Sequence, residues 1–263
     1  MSPRQEPSAL GRIVELVRDL RARCPWDAAQ TAATLRPYLI EEVFELDHAI
    51  GLGDDAAIRI ELGDLLLHLA FQIVLGEERD AFGAGDITQA VEAKMWRRHP
   101  HLFPDRVVGG AAGGTPGAPR TWEHQKRTER SADASVLDGL PPTMPALVMA
   151  HRLQERAAGV GFDWPDVQGP LDKVREEAGE VVAALDTGDA TAIEQELGDL
   201  LFAAVNVARK AGFDPRAALE KANGRFADRF RRIEALARAR GIDLYDAGLA
   251  VLDGMWEEVK QEG

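Results

Sequence analysis

The sequence has 263 residues, of which 45% are hydrophobic and 29% charged, with a formal net charge of −13 at pH 7. This composition is typical of a globular protein with a buried core, and the acidic balance argues against a nucleic-acid backbone as the main partner, because no basic stretch compensates for it. No apolar run is long enough for a membrane span or a signal peptide. A single cysteine, Cys24, excludes an internal disulfide, so we expect a cytoplasmic protein without a membrane partner.

Helical periodicity dominates the first half of the chain, where the predicted helices span 9–23, 35–50, 56–78 and 86–98. Ser8 is the expected N-cap of the first helix, and Pro25 follows its end. The buried stripe predicted for this helix consists of Ile13, Leu16, Val17 and Leu20. The second and third helices form a hairpin, and the segment Gly51-Leu52-Gly53-Asp54-Asp55 ends the second helix with a glycine at its C-cap. The basic stretch at 94–101 would either bind phosphate or form a solvated helix end.

The second half begins with a segment rich in Gly, Ala and Pro, which predicts a flexible linker over 104–119. A charged helix is predicted over 122–130. The remaining predicted helices span 145–158, 167–186, 189–211, 215–240 and 245–261. Asp214 and Pro215 form a typical helix start, and Thr187-Gly188 separates the two helices of a second hairpin.

Acidic residues recur in the same register in both hairpins, 135 residues apart. Within each hairpin the acids are three apart on each helix and therefore share a face. The second hairpin carries Glu177, Glu180, Glu196 and Asp199. The first carries Glu42, Glu45, Glu61 and Asp64. A solvated acidic face is the simplest alternative, but it gives no reason for the register to be kept twice.

Four carboxylates that converge between two helices repel one another and are costly to remove from water. A divalent cation removes this conflict, and oxygen-only ligands favour Mg²⁺, with Mn²⁺ as a substitute. We therefore predict two copies of a metal-binding helical hairpin. In the second copy, the apolar residues expected to pack around the acids are Val174, Val181, Val182, Leu185, Leu197, Leu200, Leu201 and Phe202.

Histidines offer two other candidate metal sites. Glu45 and His48 form a Glu-x-x-His pair of the kind found in di-iron bundles. Ala183 replaces the histidine in the second copy, so a di-iron oxidase remains only an alternative. His99 and His101 flank a proline and cannot share a helical face, so we expect them to cap or pack.

The duplicated Glu-Glu-x-x-Glu and Glu-x-x-Asp signature is similar to that of the MazG nucleoside triphosphate pyrophosphohydrolases. Further segments resemble landmarks of that family, in the family's order. They are Cys24-Pro25-Trp26-Asp27, Gln30-Thr31, Arg98-His99-Pro100-His101, Trp122-Glu123, Ser135-Val136-Leu137-Asp138-Gly139 and Gly161-Phe162-Asp163-Trp164. The resemblance implies an all-α fold of two tandem helical-hairpin or four-helix-bundle domains related by internal duplication. These would span 1–103 and 135–263, with a linker and charged helix over 104–134, and would assemble as a homodimer.

The resemblance also implies a Mg²⁺-dependent enzyme that converts nucleoside triphosphates and water into monophosphates and pyrophosphate, with broad, house-cleaning specificity. The implied metal ligands are Glu177, Glu180, Glu196 and Asp199, with a second, weaker site at Glu42, Glu45, Glu61 and Asp64. The implied catalytic residues are Glu176, Glu177 and Glu180. The implied substrate-binding residues are Lys173, Arg225, Arg229, Trp256 and Lys260. Arg225 stands where the family usually has lysine, which keeps the charge but alters its geometry.

The two copies differ at one position that matters for phosphate binding, where the second has Lys173 and the first has Tyr38. We therefore expect the C-terminal site to carry most of the turnover. Two alternatives stay open: a narrow-specificity dNTP pyrophosphatase, and a non-catalytic scaffold that senses nucleotide or metal. Mg²⁺-dependent release of pyrophosphate separates the enzyme from the scaffold.

Overall fold

The computed structural model describes Ser8 and residues 11–106 and 134–261, and these described ranges contain helices and turns but no strand. The chain divides between Thr115 and Pro116 into two compact units. Most of the predicted linker and the predicted charged helix over 122–130 lie outside the described residues. The all-α prediction is confirmed.

The first unit has five α-helices and a short 3₁₀ turn in its described part. They are α1 Gly11–Arg23, α2 Pro25–Ala28, α3 Ala32–Leu52, α4 Asp55–Glu77, α5 Ala84–Arg98 and the turn Pro104–Arg106. The backbone amide of Gly11 donates to Ser8 Oγ at 3.1 Å, so Ser8 stabilises the start of α1. Helices α3 and α4 form the expected hairpin, and α1 packs against α4.

The core of the first unit lies where α1, α3 and α4 meet. Its buried members are Val17, Leu35, Ala70, Phe71, Val74 and Leu75. The predicted stripe of α1 is wrong at one position, because Val14 packs against this core and Leu16 is exposed. Two ion pairs join the surfaces of α1 and α4. They are Arg18 Nη2 to Glu77 Oε2 at 2.7 Å and Arg21 Nε to Glu78 Oε1 at 2.6 Å.

The second unit has five α-helices in its described part. They are α6 Ala146–Ala158, α7 Gln168–Thr187, α8 Ala190–Lys210, α9 Pro215–Arg240 and α10 Gly248–Gln261. Helices α7 and α8 form the second hairpin, α6 packs against α8 and α9, and α10 packs against α9. The buried cluster between α9 and α10 consists of Ile233, Ala237, Met255 and Val259.

Buried polar groups fix α6 in the second unit. Gln154 Nε2 donates to the carbonyl of Phe202 at 2.8 Å and so attaches α6 to α8. Arg156 Nη1 donates to the carbonyls of Leu137 and Asp138, which holds the irregular segment before α6 in place. Just beyond the C-terminal end of α6, the carboxylate of Asp163 pairs with Arg209 at 2.5 Å and thereby anchors the α6–α7 loop on the end of α8.

The duplication extends to the turns of the two hairpins. Gly53 and Gly188 end α3 and α7 with φ values of 69° and 71°, a left-handed conformation that favours glycine. Asp54 and Asp189 follow and cap α4 and α8 by accepting backbone amide hydrogen bonds. The glycine C-cap predicted within 51–55 is at Gly53, because α3 continues to Leu52 before it ends.

The predicted apolar packing around the second acidic hairpin is wrong for most of its members. Leu201 is 62% exposed, and the other exposed members are Val182, Leu185, Leu197 and Phe202. The small side chains Ala184 and Ala203, together with Val205, are buried in this hairpin instead. The first hairpin likewise exposes Val43, Phe44, Ile60 and Leu62. Each hairpin therefore presents an apolar surface that its own unit does not cover.

Of the helices that the structure describes, none combines the length and the apolar character needed to cross a membrane.

Candidate metal centre

The acidic residues of the second hairpin converge on Glu177. Carboxylate oxygens of Glu177, Glu196 and Asp199 lie within 4.8 Å of one another, and so do those of Glu176, Glu177 and Glu180. One group of three acids therefore lies entirely on α7. Glu177 also belongs to the second group, which it forms with the two acids of α8. Glu177 is only 6% exposed, whereas Glu176, Glu180 and Asp199 are exposed. The arrangement is a carboxylate cluster with one buried member at its centre.

Lys173 supplies a positive charge to this cluster. Its Nζ lies 2.5 Å from Glu177 Oε1 and 3.0 Å from Glu176 Oε1, one helical turn away on α7. The hydrogen bond from this ammonium is the main reason why the pKa of Glu177 lies below its ordinary value, against the opposing effect of burial. The same contacts with Glu177 and Glu176 raise the pKa of Lys173.

The pKa of Glu180 shifts in the opposite direction to that of Glu177. Its pKa is raised first by its hydrogen bond with Glu177, and then by burial and the negative charges of Glu177 and Glu196. Adjacent carboxylates thus compete for one proton and one ammonium. A divalent cation would satisfy both carboxylates at once.

The first hairpin forms a comparable but smaller group. Carboxylate oxygens of Glu42, Glu45 and Glu61 lie within 4.8 Å of one another, and Asp64 is not part of this group. Burial, followed by the charge of Asp64 and the other acids, raises the pKa of Glu42. Burial is also the first cause of the raised pKa of Glu61. The pKa of Glu42 thus shifts opposite to that of Glu177, its counterpart in the second hairpin.

A histidine that the sequence analysis did not single out lies beside Glu42. His68 Nε2 lies 3.7 Å from Glu42 Oε1, and the imidazole stacks on Tyr38 with a centroid separation of 6.3 Å. Burial lowers the pKa of His68, which favours the neutral ring. Tyr38 and His68 correspond to Lys173 and Ala203 of the second hairpin. Helical spacing could have identified His68 from the sequence, because this residue follows Glu61 by seven positions and therefore shares its helical face.

A groove of about 730 Å³ lies beside the first acidic group. Glu45 and Glu61 line it together with the apolar side chains of Ile40, Phe44 and Leu52. His48, considered above as a di-iron ligand, also lines this groove. The groove places apolar surface next to carboxylates.

Two of the predicted substrate-binding residues of α9 and α10, Arg229 and Trp256, contact each other. The Arg229 guanidinium lies over the Trp256 ring, 5.8 Å from its centroid, and Phe226 contacts the same ring at 5.4 Å between centroids. Phe226 and Arg225 are exposed. Lys260 Nζ pairs with Glu257 at 3.3 Å. Helix α9, which carries Arg225 and Arg229, also packs against α8, which carries Glu196 and Asp199.

Several side chains at the basic end of α5 have structural roles, as expected for its histidines. His99 Nδ1 lies 3.0 Å from the carbonyl of Met95 and thereby caps the helix. The Arg106 guanidinium lies 5.3 Å from the centroid of Trp96, so the 3₁₀ turn returns onto α5. Arg98 is buried. This end of the helix is therefore engaged in packing within its own unit.

Comparison with known proteins gives two matches to one family model. Residues 30–103 and 168–232 match the model described as the MazG nucleotide pyrophosphohydrolase domain. The two matched segments contain both acidic groups, together with Lys173, Arg225 and Arg229, whereas Trp256 and Lys260 lie beyond them.

Full-length relatives are also similar to this chain. The chain is 40% identical over 254 residues, 95% of each protein, to a protein of Escherichia coli K12 named nucleoside triphosphate pyrophosphohydrolase. It is 39% identical over 252 residues, 94% of each protein, to a protein of Thermotoga maritima named nucleoside triphosphate pyrophosphohydrolase/pyrophosphatase MazG. The similarity therefore extends through both units.

Proposed function

The chain belongs to the MazG nucleotide pyrophosphohydrolase family and is a nucleoside triphosphate pyrophosphohydrolase, and we propose that its C-terminal acidic cluster is the main active site. The observation that supports this assignment most is the position of Glu177, a buried carboxylate shared by two groups of acids. We further propose broad specificity for ribo- and deoxyribonucleoside triphosphates.

The donor set fits Mg²⁺, or Mn²⁺ as its substitute. The clustered ligand atoms are carboxylate oxygens, which hard divalent cations prefer. Glu177, Glu180, Glu196 and Asp199 would hold the metal. When bound, the metal would neutralise charge on the phosphate oxygens and favour ionisation of water.

The reaction requires attack of water on the α-phosphorus. The water oxygen bonds to this phosphorus while the bond to the bridging oxygen of the β-phosphate breaks, and pyrophosphate leaves with the electron pair. A carboxylate must orient the water and accept its proton. We assign this role to Glu176, which lies beside Glu177 and Glu180 but outside the group that includes the acids of α8.

Cations of the second unit would hold the triphosphate. Lys173 already lies at the acidic cluster, and Arg225 and Arg229 are on a helix that packs against α8. The Trp256 ring, together with the Lys260 ammonium on the same helix, would contact the nucleotide. The half-buried Trp256 ring, with the Arg229 guanidinium over it and the exposed Phe226 ring beside it, suits a flat, electron-rich base.

The N-terminal cluster would bind metal more weakly and contribute little turnover. It has the aromatic ring of Tyr38 where the C-terminal cluster has the ammonium of Lys173, and Glu42 faces the His68 imidazole. Glu42, Glu45, Glu61 and Asp64 would hold this second metal.

We also propose that the chain assembles as a homodimer through the exposed apolar faces of its hairpins. Several aliphatic side chains on α7 and α8 are exposed within the unit. Covering them with a second copy would remove apolar surface from water at a position next to the acidic cluster.

Product analysis in ¹⁸O-labelled water tests the reaction. The wild type with Mg²⁺ and a panel of nucleoside triphosphates is expected to yield monophosphate and pyrophosphate, with the label in the monophosphate, because attack occurs at the α-phosphorus. Label in pyrophosphate would mean attack at the β-phosphorus. Diphosphate and orthophosphate would show cleavage of a different bond, and turnover that persists in EDTA would contradict the metal requirement.

A further inference from the structure

Lys173 contacts the one carboxylate that belongs to both groups of the C-terminal cluster. Its Nζ lies 2.5 Å from Glu177 Oε1, and Glu177 is almost completely buried. A lysine ammonium and a divalent cation repel each other strongly when both lie at contact distance from one carboxylate, the more so away from bulk water. The ammonium and the metal would therefore compete for Glu177.

We infer that Lys173 is a displaceable counter-ion of Glu177: metal binding breaks this ion pair, and the released ammonium then binds the triphosphate. The inference rests on the proposed function, because it requires the acidic cluster to bind the metal and the nucleotide. It adds a regulatory step to that site, in which the metal makes the phosphate-binding group available.

The geometry of α7 allows Lys173 to act in this way. Lys173 precedes Glu177 by one turn, and its side chain is 39% exposed, so the ammonium can leave Glu177 without disrupting the core. Lysine carries a compact charge on a flexible four-carbon stem with three donors, which suits exchange between carboxylate and phosphate oxygens. Glu176, the second partner of the ammonium at 3.0 Å, keeps it close to the cluster.

The first hairpin provides an internal comparison. Tyr38 occupies the register of Lys173, and its ring stacks on His68. The counter-ion at this register is thus specific to the hairpin to which we assign turnover. Metal and nucleotide binding should consequently be more strongly linked at the C-terminal cluster, and this linkage must be reciprocal.

Metal titration without nucleotide tests the displacement directly. Mn²⁺ binding is measured by isothermal titration calorimetry on the full chain carrying Glu42→Gln and Glu45→Gln, where only the C-terminal cluster keeps all its acids. Adding Lys173→Met should tighten Mn²⁺ binding roughly fivefold, because a competing, partly exposed ion pair is removed. Unchanged or weaker Mn²⁺ binding would overturn the inference.

A neighbouring arginine provides the matched control. Arg175 lies on the same helix and pairs with Asp172, outside the acidic cluster. Arg175→Met removes the same charge but should leave Mn²⁺ affinity within about twofold of the parent, because this pair is exposed. Equal tightening in Arg175→Met and Lys173→Met would overturn the specific role of Lys173, because net charge alone would then explain the effect.

The second half of the inference is tested with an α,β-methylene triphosphate analogue. The factor by which Mn²⁺ strengthens analogue binding should fall in Lys173→Met, since no ammonium is released. An unchanged factor would overturn phosphate binding by the released lysine. These titrations need no turnover, so they are distinct from the product analysis. Tighter Mn²⁺ binding in a protein that hydrolyses no nucleotide would support the displacement and contradict only the proposed function.

Discussion

Glu177 and Glu42 occupy the same position in two repeated hairpins but have different partners. Glu177 accepts a hydrogen bond from the Lys173 ammonium, which lowers its pKa. Glu42 faces the His68 imidazole, and burial among other acids raises its pKa. One repeated sequence pattern therefore produces two electrostatic environments.

Removing the carboxylate shared by both C-terminal groups should show which of the two acidic sites carries the turnover. Glu177→Gln is expected to reduce turnover by about 100-fold or more, because even groups that only orient a metal ligand are typically worth 10–100-fold. Glu42→Gln is the matched control at the corresponding position and should retain wild-type turnover within about threefold. Steady-state pyrophosphate release measures both. Loss of turnover in Glu42→Gln alone would reverse the assignment of the working site.

The ion pair of Asp163 should make the second unit sensitive to acid. Arg209 and Lys210 lower the pKa of Asp163 to about 2, with the hydrogen bond from Arg209 as the largest cause. Because this value is below that of the unfolded chain, the pair stabilises the fold above about pH 4. The contribution disappears as the pH falls from about 4 to 2.

Asp163→Asn therefore tests this pair. The substitution should lower the free energy of unfolding by about 1 kcal/mol at pH 7, since the pair is partly exposed to solvent. The difference in the free energy of unfolding between Asp163→Asn and wild type, measured with urea, should become smaller below pH 4. Asp172→Asn, which affects the more exposed pair with Arg175, is the control and should change stability little. A difference between Asp163→Asn and wild type that is constant with pH would contradict the ionic origin.

The exposed face of the second hairpin should control assembly. Leu201→Glu places a charge on this face and is expected to convert a wild-type dimer into a monomer, as measured by light scattering. Leu249→Glu is the matched control, because Leu249 is even more exposed but lies on α10. A wild-type monomer across the measured concentrations, or a dimeric Leu201→Glu variant, would contradict the proposed interface.

The turn glycine of the second hairpin should resist substitution for conformational reasons alone. A Cβ at Gly188 would meet no atom within 4 Å, but its φ of 71° strains an L-residue, so Gly188→Ala should cost about 1 kcal/mol. Gly254→Ala, in the middle of α10 with similar space, should instead stabilise by about 0.5–1 kcal/mol. Thermal unfolding should show a lower melting temperature for Gly188→Ala and a higher one for Gly254→Ala. A stabilising Gly188→Ala would contradict the backbone explanation.

Several features were predictable from local sequence because they depend on local geometry. The spacing of apolar residues predicted the helices, including α9 over Pro215–Arg240. The three-residue spacing of the acids predicted which carboxylates share a helical face, and the 135-residue register predicted two equivalent hairpins. Gly188 and Asp189 ended one helix and started the next as such residues usually do. Apart from the repeat register, which is read by comparing two stretches of sequence, each of these features involves residues within a few positions of one another.

Features that depend on distant neighbours required the tertiary structure. Val14 rather than Leu16 packs in the first core because the position of α4, not the helical period alone, decides which side of α1 is covered. Leu201 is exposed because it lies on a face of the hairpin that the described helices of its unit do not cover.

The electrostatic difference between the two acidic groups was likewise decided by the fold. Sequence alone determined that Lys173 has no counterpart in the first hairpin and that the acids recur in register. Only the folded hairpins bring His68 of α4 to Glu42 of α3 and bury Glu177 between its neighbours. A carboxylate's pKa depends on burial and on charges a few ångströms away, and these distances are set by how the helices pack.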